Sequence, residues 1–377
     1  MKVRNVSVHV VRAALRQPFS FSQWTYTHRE TALVRVETDA GLVGWGEAFG
    51  VVPVAAEAVR CLLGPMLIGR DPRDVEALWH LLFARSLDYG QKGSIVAAIG
   101  AIDIACWDLK AQSAGVPLYR LLGGAETEAI DCYATGLYST RDRGWEEALA
   151  QEAESHLERG FQAMKMKVGF GIERDACMVA HVRKVIGPGV KLMIDANHAY
   201  SAAEAIRLAR LVEQHDIFWF EEPVSPIDLA SYEEVKRSIS ISIAGGECEY
   251  TRFGFEPLLR RRLVDFAQPD LCICGGITEG MKIATLASVY GVHVTPHVWG
   301  TVIGPAAALH FYAARCRHPG TLTPETKLIE CDQTENPLRS ELIPEQIRFD
   351  SGRWMLPQTP GLGVTIREQA LPRFAVA

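Results

Sequence analysis

The chain has 377 residues, of which 48% are hydrophobic and 22% charged, enough for one large globular domain and a smaller one. Its net charge of −6 and the lack of a basic run argue against binding to nucleic acid or to an acidic membrane. No apolar stretch approaches the roughly 18 residues that span a bilayer, and the N-terminal residues alternate as a strand does rather than resembling a signal peptide.

The first 125 residues predict an α+β domain. Apolar residues alternate at 6–15 and 31–48, which predicts strands, and 39–41 is a hairpin turn signal that joins two alternating runs. Residues 54–113 predict helices, and the clearest of them, 94–115, has apolar side chains at helical spacing. Strands followed by a block of helices favour a separate α+β domain in front of the rest of the chain.

From about residue 130 the pattern becomes a strict alternation of strands and helices. Eight strands at this period favour a (β/α) barrel over an open doubly wound sheet, and no glycine-rich dinucleotide motif follows a strand. The barrel is expected to span 126–345, and 346–377 to return and pack on the first domain. The strand candidates are 131–136, 162–168, 190–195, 217–221, 241–247, 264–268, 292–296 and 327–330, and the helix candidates are 145–159, 173–185, 201–214, 229–238, 278–290 and 304–315.

Three acidic residues, Asp195, Glu221 and Glu247, end strand candidates at equal steps of 26 residues. In a parallel barrel the side chains at the C-terminal strand ends all point into one mouth. Carboxylates that meet there repel one another unless a divalent cation lies between them, and oxygen ligands suit a hard ion such as Mg²⁺. The alternative is three solvated acids at loop starts, which the even spacing and the apolar neighbours make a poor description.

Two lysines, Lys165 and Lys167, belong to the second barrel strand candidate. The period of two puts both on the inward face and Met166 on the outward face. Two ammonium groups so close disfavour each other's protonation, so one of them is predicted to act as a base near neutral pH. The alternative for these lysines is a solvated position beside the strand.

Other polar residues end the remaining strands. Asp270 ends the sixth strand candidate and His297 the seventh, so the carboxylate could hold one imidazole nitrogen while the other faces the mouth. Glu330 ends the eighth and could donate to, or polarise, a substrate oxygen if it is protonated. Asn197 also faces the mouth and is predicted to orient a metal ligand or substrate.

Nine cysteines are scattered through the chain, an odd number that does not fit a secreted disulfide framework. A reducing, cytoplasmic compartment is therefore expected. Cys272 and Cys274 form a C-x-C pair with no matching His/Cys pair, which favours packing in a strand-end loop over a structural zinc site.

Six short motifs lie at these strand ends: K-M-K at 165–167, D-A-N at 195–197, F-E-E-P at 220–223, G-G-E at 245–247, Q-P-D at 268–270 and T-P-H-V-W-G at 295–300. In this order they resemble the motifs of the enolase superfamily, mandelate racemase subgroup, and the resemblance covers essentially the whole chain. It implies a (β/α)7β barrel beneath an N-terminal cap. The muconate-cycloisomerase-like branch uses a second lysine at the end of strand six, where this chain has Asp270; that difference and His297 favour the mandelate racemase branch.

The resemblance also implies a first chemical step, removal of the proton α to a carboxylate. Mg²⁺ bound by Asp195, Glu221 and Glu247 would stabilise the enediolate that forms. Glu222 is expected just outside this ligand set, because adjacent strand-end residues cannot both point at the metal.

The same resemblance assigns roles to the remaining site residues. Lys167 would be the base on one face of the substrate, and Lys165 would lower its pKa. His297, oriented by Asp270, would be the acid or base on the other face. Glu330 would hydrogen-bond the enediolate.

Specificity is expected from the cap segment 18–30. His28 or Arg29 could bind a distal carboxylate or hydroxyl of a sugar acid, whereas Trp24 and its aromatic neighbours could line a pocket for an aryl substrate or pack the cap on the barrel. The motif detail, including E-x-D-x-T-x-N-P at 330–337, is most similar to acid-sugar members such as galactarolactone cycloisomerases.

The expected partner is a small-molecule carboxylate, and the predicted reaction is that of a sugar-acid dehydratase or a sugar-acid lactone cycloisomerase. A racemase or epimerase of a 2-hydroxy acid is the alternative, and a non-catalytic metal-binding barrel is a remote one, because the same intermediate serves several outcomes. The family resemblance further implies a homo-oligomer, often an octamer.

Overall fold

The computed structural model describes residues 1–138, 144–315, 327–343 and 347–376. Within them an antiparallel sheet with helices precedes a larger sheet of parallel strands that alternate with helices, which confirms the predicted fold class. None of the helices in these ranges is long and apolar enough to cross a membrane.

The N-terminal sheet has three antiparallel strands, β1 (Val3–Ser20), β2 (Thr25–Thr38) and β3 (Val43–Ala48), and the predicted turn at 39–41 joins the last two. Helix α3 (Ser94–Ala114) packs directly on β3. The contact is so close that a Cβ at Gly46 would stand 1.8 Å from the carbonyl oxygen of Ala101. Only glycine allows that approach. The helices of this cap are α1 (Val52–Glu57), followed by a π-helical turn (Ala58–Leu63) and a 3-10 turn (Gly64–Leu67), then α2 (Val75–Ser86), α3 (Ser94–Ala114) and α4 (Leu118–Leu121).

All eight predicted barrel strands are present, and the first seven pair in parallel, each with the next along the chain. The eighth, β11, pairs in parallel with the first, β4. The seventh, β10, approaches β11 through a side chain, since the hydroxyl of Thr295 donates to the carbonyl of Leu328 at 2.7 Å. The strands are β4 (Ala129–Thr135), β5 (Ala163–Lys167), β6 (Lys191–Asp195), β7 (Ile217–Glu221), β8 (Ile243–Gly245), β9 (Phe266–Ala267), β10 (His293–Val294) and β11 (Leu328–Asp332).

Helices alternate with these strands and cover their outer faces. Helix α7 begins with the capping box formed by Ser201 and Glu204, a pairing that satisfies free N–H groups at a helix start. The helices are α5 (Trp145–Glu158), α6 (Ile172–Ile186), α7 (Ala202–Val212), a 3-10 turn (Glu213–His215), α8 (Leu229–Ser238), α9 (Thr251–Arg260), α10 (Gly276–Tyr290), α11 (Ile303–Ala314) and α12 (Pro337–Leu342).

The C-terminal residues contact both parts of the molecule. A hairpin of β12 (Phe349–Asp350) and β13 (Arg353–Met355) pairs with β4, which the sequence analysis did not predict. Only the last two residues of β4, Ala134 and Thr135, pair with β5, so the start of β4 is free to pair with β13. Later residues reach the cap as predicted: Gly361 bridges to Pro117, and Ala375, after a 3-10 turn (Glu368–Ala370) and α13 (Leu371–Phe374), bridges to Val11. The predicted boundary at 345/346 lies outside the described residues.

Inside the barrel, the period of two along each strand separates an apolar layer from a polar layer above it. The polar layer lies toward the C-terminal strand ends and contains the lysines and acids that the sequence analysis singled out. The apolar layer beneath it consists of Tyr133, Ala163, Met193, Trp219, Ala244 and Leu328.

Candidate active site

Both lysines of β5 point into the barrel. The side chains of Lys165 and Lys167 are 0% and 9% exposed, while Met166 between them packs into the main hydrophobic core. The inward orientation predicted from the period of two is therefore observed, and the solvated alternative does not hold. Burying two ammonium groups is costly unless each is paired, and both of these lysines have carboxylate partners.

Lys165 is surrounded by carboxylates from three strands. Its ammonium contacts Glu221 Oε1 and lies 2.9 Å from Glu330 Oε1 and 3.6 Å from Asp195 Oδ2. Burial acts to lower the pKa of Lys165, but Glu221 and Glu330 outweigh it and raise that pKa well above its ordinary value. The lysine is thus a fixed positive charge in the polar layer.

Lys167 contacts Asp195 and donates to Asn197 Oδ1 at 2.9 Å, and the Asn197 amide donates to Glu247 at 3.3 Å. Burial acts to lower the pKa of Lys167, and Lys165 adds to that effect as predicted. Asp195, however, raises the pKa, helped by Glu247, and the net result lies above the ordinary value. The carboxylates around this lysine therefore oppose its use as a base unless another cation takes up their charge.

The three acids predicted as metal ligands do come together. Oxygens of Asp195, Glu221 and Glu247 lie within 4.8 Å of one another. Burial raises the pKa of Glu221 to about 8 and that of Glu247 to about 7, and Glu247 Oε2 is buried without a hydrogen-bond partner. Three converging carboxylates with an unpaired oxygen are a donor set that fits a hard divalent cation such as Mg²⁺.

Two partners of Glu221 escaped the sequence analysis. The indole of Trp219 donates to Glu221 Oε2 at 3.0 Å, and the amide of Gln268 donates to the same oxygen at 2.7 Å. Such contacts orient a carboxylate toward its ligand. The available signal was the polar Gln268 that directly follows the apolar Phe266 and Ala267 in its strand candidate.

His297 is held as predicted by Asp270. The imidazole Nδ1 lies 2.7 Å from Asp270 Oδ2, and Nε2 faces Glu247 Oε2 at 3.5 Å. Burial acts to lower the pKa of His297, but Glu247, Glu330 and Asp270 raise it to about 10. The ring therefore carries a proton that it can donate.

Glu330 lies in the polar layer as predicted but in the opposite protonation state to the one considered. It accepts hydrogen bonds from the Thr135 hydroxyl and, at 2.9 Å, from the Val298 backbone N–H. Burial acts to raise its pKa, but Lys165 and His297 lower it below the ordinary value. The group is an ionised acceptor here, and Thr135 is a contact that the sequence analysis missed.

The cap segment covers the mouth of the barrel. Phe21 holds its ring 6.0 Å from the Lys167 ammonium, and the Ser22 hydroxyl donates to the carbonyl of Ala196 at 2.7 Å. Beside it lies a cavity of about 350 Å³ whose lining includes Trp24 and His28. Trp24 is 65% exposed, so its ring is available to a ligand rather than used in packing.

Arg29 has partners within the protein, whereas the sequence analysis expected it to be available to substrate. Its guanidinium lies 2.9 Å from Asp332, donates to the carbonyl of Glu335 at 3.1 Å and contacts Thr334. The same group lies 3.9 Å from the ring centroid of Trp299. Arg29 therefore connects the cap to the loop after β11. Trp24 and His28 also line the cavity, and His28 has partners of its own, since its Nδ1 lies 3.1 Å from the Thr27 hydroxyl oxygen.

Glu222 points away from the three clustered acids, as expected for a neighbour of Glu221. Its carboxylate lies 3.1 Å from His198 Nδ1. Cys272 and Cys274 are both buried in the main hydrophobic core, in agreement with the packing role favoured for them.

Comparison with known proteins places this site in a family. Residues 3–123 match the mandelate racemase/muconate lactonizing enzyme N-terminal domain, and residues 148–370 match the enolase C-terminal domain-like family. The chain is 41% identical to D-galactarolactone cycloisomerase of Agrobacterium fabrum, over 99% of each chain. It is also 41% identical to the 3,6-anhydro-D-galactonate cycloisomerase of Zobellia galactanivorans, with a TM-score of 0.91 over 100% of both chains. A racemase from Streptomyces coelicolor, solved with bound magnesium, is 29% identical, with a TM-score of 0.90 over 99% of this chain and 100% of that one.

Proposed function

Because the chain belongs to the mandelate racemase/muconate lactonizing enzyme family of the enolase superfamily, we propose that it is a Mg²⁺-dependent cycloisomerase of a sugar acid. The observation that carries the proposal is the pairing of two candidate proton-transfer groups around one carboxylate cluster, Lys167 at the end of β5 and His297 in the loop after β10. Two relatives at 41% identity whose names give cycloisomerisation of a sugar acid or its lactone support the substrate class.

Asp195, Glu221 and Glu247 would hold the metal. Bound there, Mg²⁺ would supply positive charge that stabilises the developing enediolate and offsets the carboxylates that keep Lys167 protonated.

The chain's own residues then account for each proton. Lys167 Nζ takes the α proton, and the electrons of the broken C–H bond become those of the enediolate. As the anion collapses, the bond between the β carbon and the ring oxygen breaks, and His297 donates its Nε2 proton to that oxygen. Asp270 keeps the imidazole oriented throughout. The enol product then tautomerises to the 2-keto acid, and a dehydratase would differ only in expelling a β hydroxyl.

Racemisation is the second candidate, favoured by the same pair of groups and by the magnesium-bound racemase among the structural neighbours. In that reaction His297 would return a proton to the opposite face of the α carbon, and no β bond would break.

A ¹H NMR screen in D₂O with Mg²⁺ separates these outcomes. Sugar-acid lactones, anhydro-sugar acids, open aldonates and mandelate-like acids would each be incubated with the protein. We expect loss of the α-proton signal together with a new 2-keto product from a cyclic sugar acid. Deuterium incorporation without a new skeleton would show a racemase, turnover of open acids alone would show a dehydratase, and no exchange with any acid would refute the proposal.

We also propose that the protein forms a homo-oligomer in the cytoplasm. Exposed apolar side chains that line one surface pocket, Leu87, Ile227 and Phe253 at 42%, 87% and 59% exposure, support self-association. The eight cysteines among the described residues are all free thiols, which suits a reducing compartment. Analytical ultracentrifugation tests the assembly, and a monomer at micromolar concentration would contradict it.

A further inference from the structure

A second group of potential metal ligands lies beside the carboxylate cluster, and two of its members directly follow a cluster residue in the chain. His198, Glu222 and Cys248 each offer a ligand atom, and these atoms all lie within 4.8 Å of one another. Glu222 and Cys248 directly follow Glu221 and Glu247 in the chain, so they leave the same strand ends with the opposite orientation.

The central residue of this group has an unused acceptor. Glu222 is fully buried, its Oε2 pairs with His198 Nδ1 at 3.1 Å, and its Oε1 has no hydrogen-bond partner. A buried carboxylate oxygen left unpaired costs free energy, on the order of 1–3 kcal/mol. The Cys248 thiol also pairs with this carboxylate, so all three residues of the group already interact through Glu222.

We propose that His198, Glu222 and Cys248 form a binding site for a borderline transition-metal ion, with Zn²⁺ as the representative, separate from the Mg²⁺ site of the proposed function. One imidazole, one carboxylate and one thiolate are ligand types that Zn²⁺ takes at about 2.0–2.3 Å. Ligand atoms around a tetrahedral ion are roughly 3.3–3.8 Å apart. Shifts of the ligand atoms by about one ångström, through side-chain rotation, would therefore bring the three residues to metal-binding distance.

The two groups of ligands should prefer different metal ions because their donor atoms differ. Asp195, Glu221 and Glu247 offer only oxygen, which a hard ion prefers, whereas the second group includes sulfur and nitrogen. Access is also available, because the His198 side chain is 30% exposed and Cys248 is partly exposed. Three protein ligands leave the fourth tetrahedral position to water.

The test uses the whole protein in excess Mg²⁺, titrated with Co²⁺ as a spectroscopic substitute for Zn²⁺. We expect one equivalent of Co²⁺ to produce a thiolate-to-metal charge-transfer band in the near ultraviolet and tetrahedral d–d bands in the visible, both removed by Zn²⁺. Cys248→Ser should abolish the charge-transfer band and weaken Zn²⁺ binding by more than about tenfold.

Cys177→Ser is the matched control, since that thiol is exposed on α6, and it should leave the spectrum unchanged. Asp195→Asn should keep the band, which separates this site from the carboxylate cluster. Zn²⁺ should also protect Cys248 of the unmodified protein from alkylation, measured by peptide mass spectrometry, so the outcome does not depend on variants that fold. A missing band, a band that survives Cys248→Ser, or alkylation indifferent to Zn²⁺ would overturn the proposal without touching the proposed enzyme activity.

Discussion

Lys167 and His297 both carry positive charge next to the carboxylate cluster, but they pair with different carboxylates. Lys167 shares Asp195 with Lys165, whereas His297 pairs with Asp270, whose other oxygen accepts from the Cys272 backbone N–H at 2.7 Å. Such an arrangement suits two groups that act on opposite faces of one substrate, one removing a proton and the other donating one.

We expect Lys167→Ala and His297→Asn each to lower kcat by about 10²–10⁴-fold, the usual contribution of a positioned acid or base. His297→Asn should still exchange the α proton, because Lys167 remains to remove it, whereas Lys167→Ala should lose that exchange, because His297 acts as the acid in the proposed reaction. Stereochemically resolved exchange in D₂O, followed by ¹H NMR, measures this. Lys184→Ala, which alters an exposed lysine on α6, is the control, and normal turnover by Lys167→Ala would disprove the assignment of the base.

Arg29 is the residue whose environment differs most from its predicted one. Replacing it with Met keeps the apolar stem but leaves Asp332 with Arg339 as its remaining cation. We expect the free energy of unfolding to fall by about 3 kcal/mol, at the low end for a broken buried ion pair because that second cation stays. Arg16→Met, at a pair whose arginine is 92% exposed, should unfold at nearly the wild-type urea concentration. Equal effects of the two changes would contradict this role for Arg29.

At the scale of elements, the loop between β10 and α11 is one of the places where cap and barrel meet. Glu47 of β3 accepts hydrogen bonds from the Thr301 backbone N–H at 2.8 Å, the Thr301 hydroxyl at 2.8 Å and the Gly304 backbone N–H at 3.0 Å. The same loop carries His297, so the cap strand fixes a residue of the candidate site.

Gly300 makes this contact possible. Its φ of +123° lies outside the range that other residues adopt readily, and a Cβ there would stand 2.7 Å from Glu47 Oε1. Gly41→Ala, at φ +79° with nothing near its Cβ, should cost about 1 kcal/mol of unfolding free energy from backbone strain alone. Gly300→Ala should cost more and should also lower kcat. Urea unfolding and steady-state kinetics measure both, and equal costs would refute the contact argument.

The order and type of the elements were predictable from the sequence, whereas their exact ends and long-range contacts were not. All eight barrel strands follow from short apolar runs between helical segments. Glu247, Asp270 and His297, however, lie two or three residues beyond their strands, because an apolar run does not show where backbone pairing stops. The partner of Arg29 is 303 residues away in the chain, and no local pattern encodes such a pair.

At the scale of the whole molecule, His310 joins three parts of the chain. Its Nδ1 accepts from the Tyr119 backbone N–H of the cap at 3.1 Å, and its Nε2 lies 3.1 Å from the Leu362 carbonyl of the C-terminal segment. Only a neutral imidazole can make both hydrogen bonds. Burial lowers the pKa of His310 to about 4, from an ordinary value of 6.5.

The free energy of unfolding should therefore fall in acid, because protonation of His310 breaks one of these hydrogen bonds. The folded-state pKa lies below the unfolded one, so the contribution of His310 is complete above pH 6.5 and is lost as the pH falls through 4, a change of about 3 kcal/mol. His310→Gln offers the same acceptor and donor without titrating. The difference in unfolding free energy between wild type and His310→Gln should shrink from pH 7 to pH 4.5 in urea titrations, and a constant difference would count against this account.

The bridge between Val11 and Ala375 has a consequence for how the protein is made. Strand β1 receives this backbone partner from a segment that is synthesised after the whole barrel, and Pro117 receives Gly361 in the same way. Domains that complete themselves early can fold while synthesis continues. The cap gains these two bridges only after the barrel residues have been synthesised, so its pairing is completed late in synthesis.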